Sequence, residues 1–238
     1  MSRKPFSCPF QKLLLYSACK CDPRKAGFKH IMQRNFDALG AHNFDLAIIG
    51  GGATGAAIAF DASLRGLRVA LIDKGDFGGA TSAGSTKLLH GGLRYLANGE
   101  IKLVREGLRE RRHWARMARH LVHPLPFVIP SYSAQKPSRL ILGLGLRLYD
   151  WLGFDRNYGV DSMQKMPGHR TMTVAQTLGL IPDLPRQLDG TNEAPNPKLT
   201  AGLLYHDGQM LSPERLCLAL IRSAMAAGAV AVNHAEAK

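Results

Sequence analysis

Residues 44–73 read FDLAIIGGGATGAAIAFDASLRGLRVALID, and this stretch decides the fold. Asp45–Ile49 is a short apolar run cut off at Gly50, the mark of a buried strand. Gly50, Gly52 and Gly55 then fit G-x-G-x-x-G. Ala53–Arg65 carries small and apolar residues suited to a helix on a sheet, Gly66 ends it, and Leu67–Ile72 rebuilds a strand. Such a unit predicts an α/β, Rossmann-like domain on a parallel sheet. Gly50 permits the tight turn, Gly52 lets the backbone approach a pyrophosphate, and Gly55 allows close helix–strand packing. Free N–H groups in the first helical turn, at the positive end of the helix dipole, suit phosphates. Asp73 closes the second strand eighteen residues after Gly55, where a carboxylate can accept hydrogen bonds from a ribose. An ordinary glycine-rich turn is the plain alternative, but strand, helix and acid fall in register, the context that confirms the motif.

The next segment, Asp76–Leu96 (DFGGATSAGSTKLLHGGLRYL), is dense in Gly, Ser, Thr and Ala. It reads as a loop presenting hydroxyls and N–H donors to something polar and extended. His90, Arg94 and Tyr95 follow it, with the flexible Gly91–Gly92 pair between them. A nicotinamide-type domain usually runs from its second strand straight into another βα repeat and has no evident use for this insertion.

Together these residues resemble the FAD-dependent glycerol-3-phosphate dehydrogenase/oxidase family, within the D-amino-acid-oxidase-like flavoproteins. The specific part is STKLLHGGLRYL. RHLVHPLPFVIP (119–130), LRLYDWLG (146–153) and LLYHDGQMLSPERLCLALIRSAMAAGAVAVNHAEA (203–237) add to it, so the resemblance covers about 190 residues with gaps. It departs at DGQMLSPERL, where the glycerol-3-phosphate members tend to carry an acidic pair near Leu211–Pro213. It also departs at Lys238, beyond which the family continues for several hundred residues.

The resemblance implies an FAD-binding domain of Rossmann type with an inserted cap or substrate domain, begun but incomplete. The expected layout is a basic, poorly ordered extension over 1–43, FAD-binding sequence over 44–122, cap over 123–202, and a return to the FAD-binding domain over 203–238. It further implies oxidation of sn-glycerol 3-phosphate to dihydroxyacetone phosphate, with electrons passing to quinone or oxygen. His90 is the candidate base or hydroxyl-orienting group, because imidazole side chains titrate near neutral pH. Arg94 can grip a phosphate or carboxylate through its planar fork, and Tyr95 can add a hydrogen bond. Thr81, Ser82, Ser85, Thr86 and Lys87 line the flavin if the family pattern transfers. Each residue also has a plainer role: a loop histidine, an arginine paired with Glu100, a core tyrosine, a solvated lysine, hydroxyls capping a helix. A single basic clamp does not separate phosphate from carboxylate, so a related amine, amino-acid or hydroxy-acid oxidase stays open, as does an inert truncated FAD-binding piece.

Composition fits a globular chain. At 238 residues and 45% hydrophobic content it can bury a core of one or two domains. No uninterrupted apolar stretch of about 18 residues exists to span a bilayer. Cys8, Cys19, Cys21 and Cys217 form no metal-ligand pattern and suit a reducing compartment. The formal charge of +13 owes much to the first forty residues, which hold eight Lys or Arg against Asp22 and Asp37. That leader reads equally as an organellar transit peptide, a mispredicted start with Met32 as the true initiator, or a basic arm. The chain is therefore expected in the cytoplasm, peripheral on the inner membrane, or in mitochondria if the leader is a transit peptide.

Further along, Glu100–Val122 has helical spacing, with Arg105, Arg109, Arg112, Arg116 and Arg119 on a face expected to be solvated. Attraction to anionic lipid is the sharper reading of that face. Nucleic acid has no recognition module or stacking pattern to support it. Four prolines make 123–137 extended or turning. Arg139–Phe154 is expected to be a packed cap helix, with an interfacial membrane helix as its alternative. Asp183–Pro197 reads as a loop and Thr200–Gln209 as a strand. A helix follows, with Ser212 as N-cap and Pro213 in its first position. It runs to about Ala227, Gly228 ends it, and Ala229–Asn233 forms another parallel strand.

Overall fold

The computed structural model describes residues 34–133, 136–189 and 196–238. Most of the basic leader, three of the cysteines and the middle of the 183–197 loop lie outside the described residues. The chain divides into two compact units, residues up to Lys87 with Leu211–Lys238, and Leu88–Met210.

The first unit is built on a three-stranded parallel sheet. β1 (Leu46–Ile49) pairs with β2 (Val69–Ile72), and β2 pairs with β7 (Val230–Val232) on its other edge. β2 is central, and Val69, Ala70 and Leu71 are all buried, which is why its sequence is a continuous apolar run rather than an alternation. Helix α2 (Ala53–Leu64) connects β1 to β2, and helix α7 (Pro213–Ala226) leads into β7. α2 packs on α7, and its buried residues, Gly55, Ala56, Ala59, Ala62 and Ser63, are all small. Gly66 at φ 84° and Gly228 at φ 100° supply the left-handed turns after the two helices. Ser212 caps α7 by accepting from Arg215 N, with Pro213 in the first turn as its sequence predicts. A short helix α1 (Phe36–Ala41), N-capped by Asn35, gives the described end of the basic extension a regular structure that its composition did not suggest.

The second unit centres on one long strand, β6 (Leu199–Met210). β4 (Val122–Tyr132) pairs antiparallel along one edge of it, while β3 (Leu88–Leu89) and β5 (Arg170–Met172) share the other. Pro124, Pro126 and Pro130 all lie in β4, even numbers of residues apart, so their nitrogens point the same way, off the ladder. Helices α3 (Leu93–Leu96), α4 (Ile101–Met117), α5 (Arg139–Leu152) and α6 (Val174–Leu180) complete this unit. Val104, Leu108, Tyr149 and Leu152 form a core cluster between α4 and α5.

Two expectations need correction. The helix expected over 100–122 stops at Met117; a turn follows, and Val122 is already paired with Met210. Its arginines are not one solvated face, because Arg105 and Arg112 both bind Asp155. The division into two units falls in the sequence at 87/88 and 210/211, and β6 runs across 202/203. No helix among the described residues is long and apolar enough to cross a membrane.

Candidate functional site

The glycine turn after β1 is tightly closed. Gly50 adopts φ 104°, and its N–H continues the ladder to Ile72 O at 2.8 Å. A Cβ on Gly55 would collide with the Gly50 carbonyl oxygen, so only glycine lets α2 start this close to β1. A Cβ on Gly52 would lie 3.2 Å from Ser82 Oγ. The N–H groups of Gly52, Thr54 and Gly55 have no protein partner among the described residues, and they stand at the N-terminal end of α2. Unpartnered donors there, with the helix dipole behind them, fit a pyrophosphate.

Asp73 does more than wait for a ribose. Its Oδ2 accepts from Gly51 N at 2.6 Å and its Oδ1 from Gly75 N at 2.8 Å, which ties the end of β2 to the glycine turn. Each oxygen keeps a further lone-pair direction for a sugar hydroxyl. Gly51, the middle glycine of the triplet, was not singled out by the motif, yet a Cβ there would run into the Phe77 ring. Phe77 and Gly78 belong to the turn after β2, and Gly78 packs at φ 72° against Glu214 and Cys217 of α7.

The hydroxyl-rich loop divides. Ser82 Oγ accepts from Ala53 N at 3.0 Å, capping α2 from 29 residues away, so it supports the cradle. Ser85 Oγ accepts from Lys87 N at 3.2 Å and stabilises a local turn in which Lys87 takes φ 57°. Thr81 and Thr86 are exposed and not drawn into the cradle's hydrogen bonds. Buried Cys217 has its thiol pushed up by burial, against a lowering hydrogen bond with Ser82.

In the second unit the structure brings His90, Arg94 and Tyr95 together. Gly92 at φ 80° turns the chain into α3. Arg94 Nη2 donates to Tyr95 Oη at 3.1 Å, and its guanidinium lies 4.9 Å from the Tyr95 ring centroid. The His90 and Tyr95 rings are 6.3 Å apart. His90 and Arg94 are exposed, so both are available to a ligand. Arg94 does not pair with Glu100, the plainer role considered for it.

Beneath this turn is a buried polar cluster that the motifs did not announce. Gly91 N donates to Asp207 Oδ1 at 2.9 Å, and Arg111 Nη1 donates to the same oxygen at 2.5 Å. Tyr149 Oη donates to Asp207 Oδ2 at 3.4 Å, and burial pushes its phenol well above the usual tyrosine range. The one available signal was a carboxylate inside a sequence expected to form a strand, because an acid is almost never fully buried unless paired. A cavity of about 780 Å³ lies along α4 and the end of α5, lined by Ile101, Lys102, Arg105, Arg109, Trp151 and Phe154; none of the candidate cofactor or substrate residues lines it.

Residues 45–238 match the family described as FAD dependent oxidoreductase. A protein called glycerol-3-phosphate dehydrogenase from Synechocystis is 40% identical over 206 residues, covering 86% of this chain and 34% of that protein. Mitochondrial glycerol-3-phosphate dehydrogenase of Saccharomyces cerevisiae is 37% identical over 202 residues, covering 82% and 28%. This chain therefore spans about a third of the length of these relatives. Among solved structures, glycerol-3-phosphate dehydrogenase from Bacillus halodurans complexed with FAD superposes with TM-score 0.52 at 24% identity, over 84% of this chain and 28% of that one. L-alpha-glycerophosphate oxidase from Mycoplasma pneumoniae does so with TM-score 0.53 at 17% identity, over 82% and 46%. These two likenesses are of fold. With the glycine cradle, the parallel sheet and a match across most of its length, the chain belongs to the family of FAD-dependent oxidoreductases.

Proposed function

We propose that this chain serves an FAD-dependent oxidoreductase that converts sn-glycerol 3-phosphate to dihydroxyacetone phosphate. The observation that carries the reading is the open row of N–H donors at Gly52, Thr54 and Gly55, in a chain whose relatives at 37–40% identity are named glycerol-3-phosphate dehydrogenases. The donor row fits the pyrophosphate of FAD, and Asp73 fits its ribose. When bound, FAD supplies the hydride acceptor.

The protein's part is to hold the substrate and move a proton. The His90 imidazole takes the proton from the substrate's C2 hydroxyl as that carbon gives up its hydride. Arg94 pairs with the phosphate through its guanidinium fork, which the Tyr95 hydroxyl steadies by accepting one of its N–H groups. With FAD bound, a quinone or oxygen would be the final electron acceptor.

The deciding test is the visible absorption spectrum of the FAD-loaded chain, before and after anaerobic glycerol 3-phosphate. Bleaching of the flavin band is expected. Bleaching by an amino acid or another hydroxy acid in its place would move the substrate class, and bound flavin that nothing bleaches would leave an inert cofactor-binding piece.

A peripheral membrane contact is proposed beside this activity. Leu140, Ile141, Leu144 and Trp151 make an exposed apolar stripe along α5, with Arg139 and Arg147 on the same helix. An apolar stripe with basic neighbours fits an anionic lipid surface. Co-sedimentation with anionic but not neutral vesicles would support this contact, and none with either would remove it. The location follows as cytoplasmic, or mitochondrial where the basic leader directs import; fusing residues 1–43 to a fluorescent protein decides between them.

A further inference from the structure

We infer that Asp207 is a positioning residue for the turn His90–Tyr95, held in place by Arg111 and Tyr149; this rests on the substrate role proposed above for that turn. Asp207 is 3% exposed, on the strand through the middle of its sheet. Burying a carboxylate costs free energy, and apolar residues of similar volume would serve stability as well or better than a buried ion pair. A structural need alone therefore accounts poorly for it.

Its bonds indicate the need it meets. One oxygen accepts from Arg111 on α4 and from the backbone of Gly91, and the other accepts from Tyr149 on α5. Two helices and a strand thus converge on the peptide beside His90, three residues before Arg94. Gly91 has no space for a side chain, since a Cβ would strike the Tyr149 hydroxyl and lie 2.5 Å from Leu108 Cδ2. Gly92 then turns the chain into α3. Among the described residues, the side-chain hydrogen bonds and ring contacts of His90 and Arg94 are with Tyr95. Their placement therefore depends on the backbone beneath them, which Asp207 ties to the strand through Gly91 N–H. Arg111 has a second effect: it matches the Asp207 charge from within, so the carboxylate does not repel an anion bound above it.

The test uses the FAD-loaded chain. Asp207→Asn removes the charge facing Arg111 and leaves one acceptor oxygen where Gly91, Arg111 and Tyr149 share two, so the bond to Gly91 N–H is weakened. Tyr149→Phe removes one hydrogen bond and serves if the first variant does not fold. Hydrogen exchange in residues 88–97 is expected to quicken about tenfold or more while residues 46–72 keep their wild-type protection. Affinity for glycerol 3-phosphate, measured by calorimetry, is expected to fall about tenfold or more. Because Asp207 acts through the turn, adding Asp207→Asn to Arg94→Ala should cost at most about twofold beyond Arg94→Ala alone. Unchanged exchange at 88–97, or losses that multiply in the double variant, would overturn the inference. A wild-type chain that binds no glycerol 3-phosphate would sink the proposed function instead, and the exchange measurement would still decide whether Asp207 holds the turn.

Discussion

Arg111 and Asp207 meet at 2.5 Å with side chains only 3% and 5% exposed, an ion pair enclosed between helix and strand. Such pairs are asymmetric in mutation: removing one partner strands the other charge, whereas removing both need not. Arg111→Met is expected to cost about 3–5 kcal/mol in denaturant unfolding, and adding Asp207→Leu to recover most of it. Equal costs for the single and double variants would contradict this account.

Asp155 gives a pH prediction. Its hydrogen bond with Arg105, and then the charges of Arg112 and Arg105, hold the carboxyl below the usual aspartate range, against the opposing effect of burial. A folded-state pKa lowered in this way gives stability that is present above the unfolded value of about 3.9 and lost as pH falls through the folded value. Asp155→Asn should therefore lower thermal stability near neutral pH and flatten its decline below about pH 4. Melting curves across that range check the sign.

Glycines in the two units should behave oppositely. Gly55→Ala places a methyl on the Gly50 carbonyl, so α2 must back away from β1. FAD affinity is expected to fall about tenfold or more, from roughly 1–3 kcal/mol of overpacking. Fluorescence titration with FAD measures it.

In α5, Gly143 and Gly145 have nothing within 4 Å of a built Cβ, and neither takes a positive φ. Gly143→Ala is expected to stabilise the chain by about 1 kcal/mol, the ordinary difference between glycine and alanine inside a helix. Calorimetric melting would show this as a raised midpoint.

At the proposed substrate turn, Arg94→Lys keeps the charge but loses the planar fork and the bond to Tyr95. A rise of about tenfold in KM for glycerol 3-phosphate is expected, with the flavin spectrum unchanged. A normal KM would remove Arg94 from the anion clamp.

The glycine cradle was legible because its requirements are local: a run of apolar residues, glycines at fixed offsets and an acid at the end of the next strand lie within thirty residues. The second unit was less so. Leu121 continues the helical spacing past Met117, because apolar periodicity does not record where a partner strand begins. Arg105 and Arg112 looked solvated because their acceptor, Asp155, lies more than forty residues on. Asp207 is 96 residues from Arg111 and 116 from Gly91, separations at which side-chain pairing leaves no spacing signature. His90, Arg94 and Tyr95 stood out by resemblance, and the structure adds their mutual contacts and the buried support below them.

The prolines of β4 bear on how the chain behaves in a crowd. No strand pairs the outer edge of β4 among the described residues, and an edge of eleven residues is a ready template for another molecule's backbone. Pro124, Pro126 and Pro130 put no donor along that rim, so an incoming strand would find three gaps where hydrogen bonds should form. The strand is satisfied toward β6 and uninviting outward, so its rim discourages pairing with a second copy.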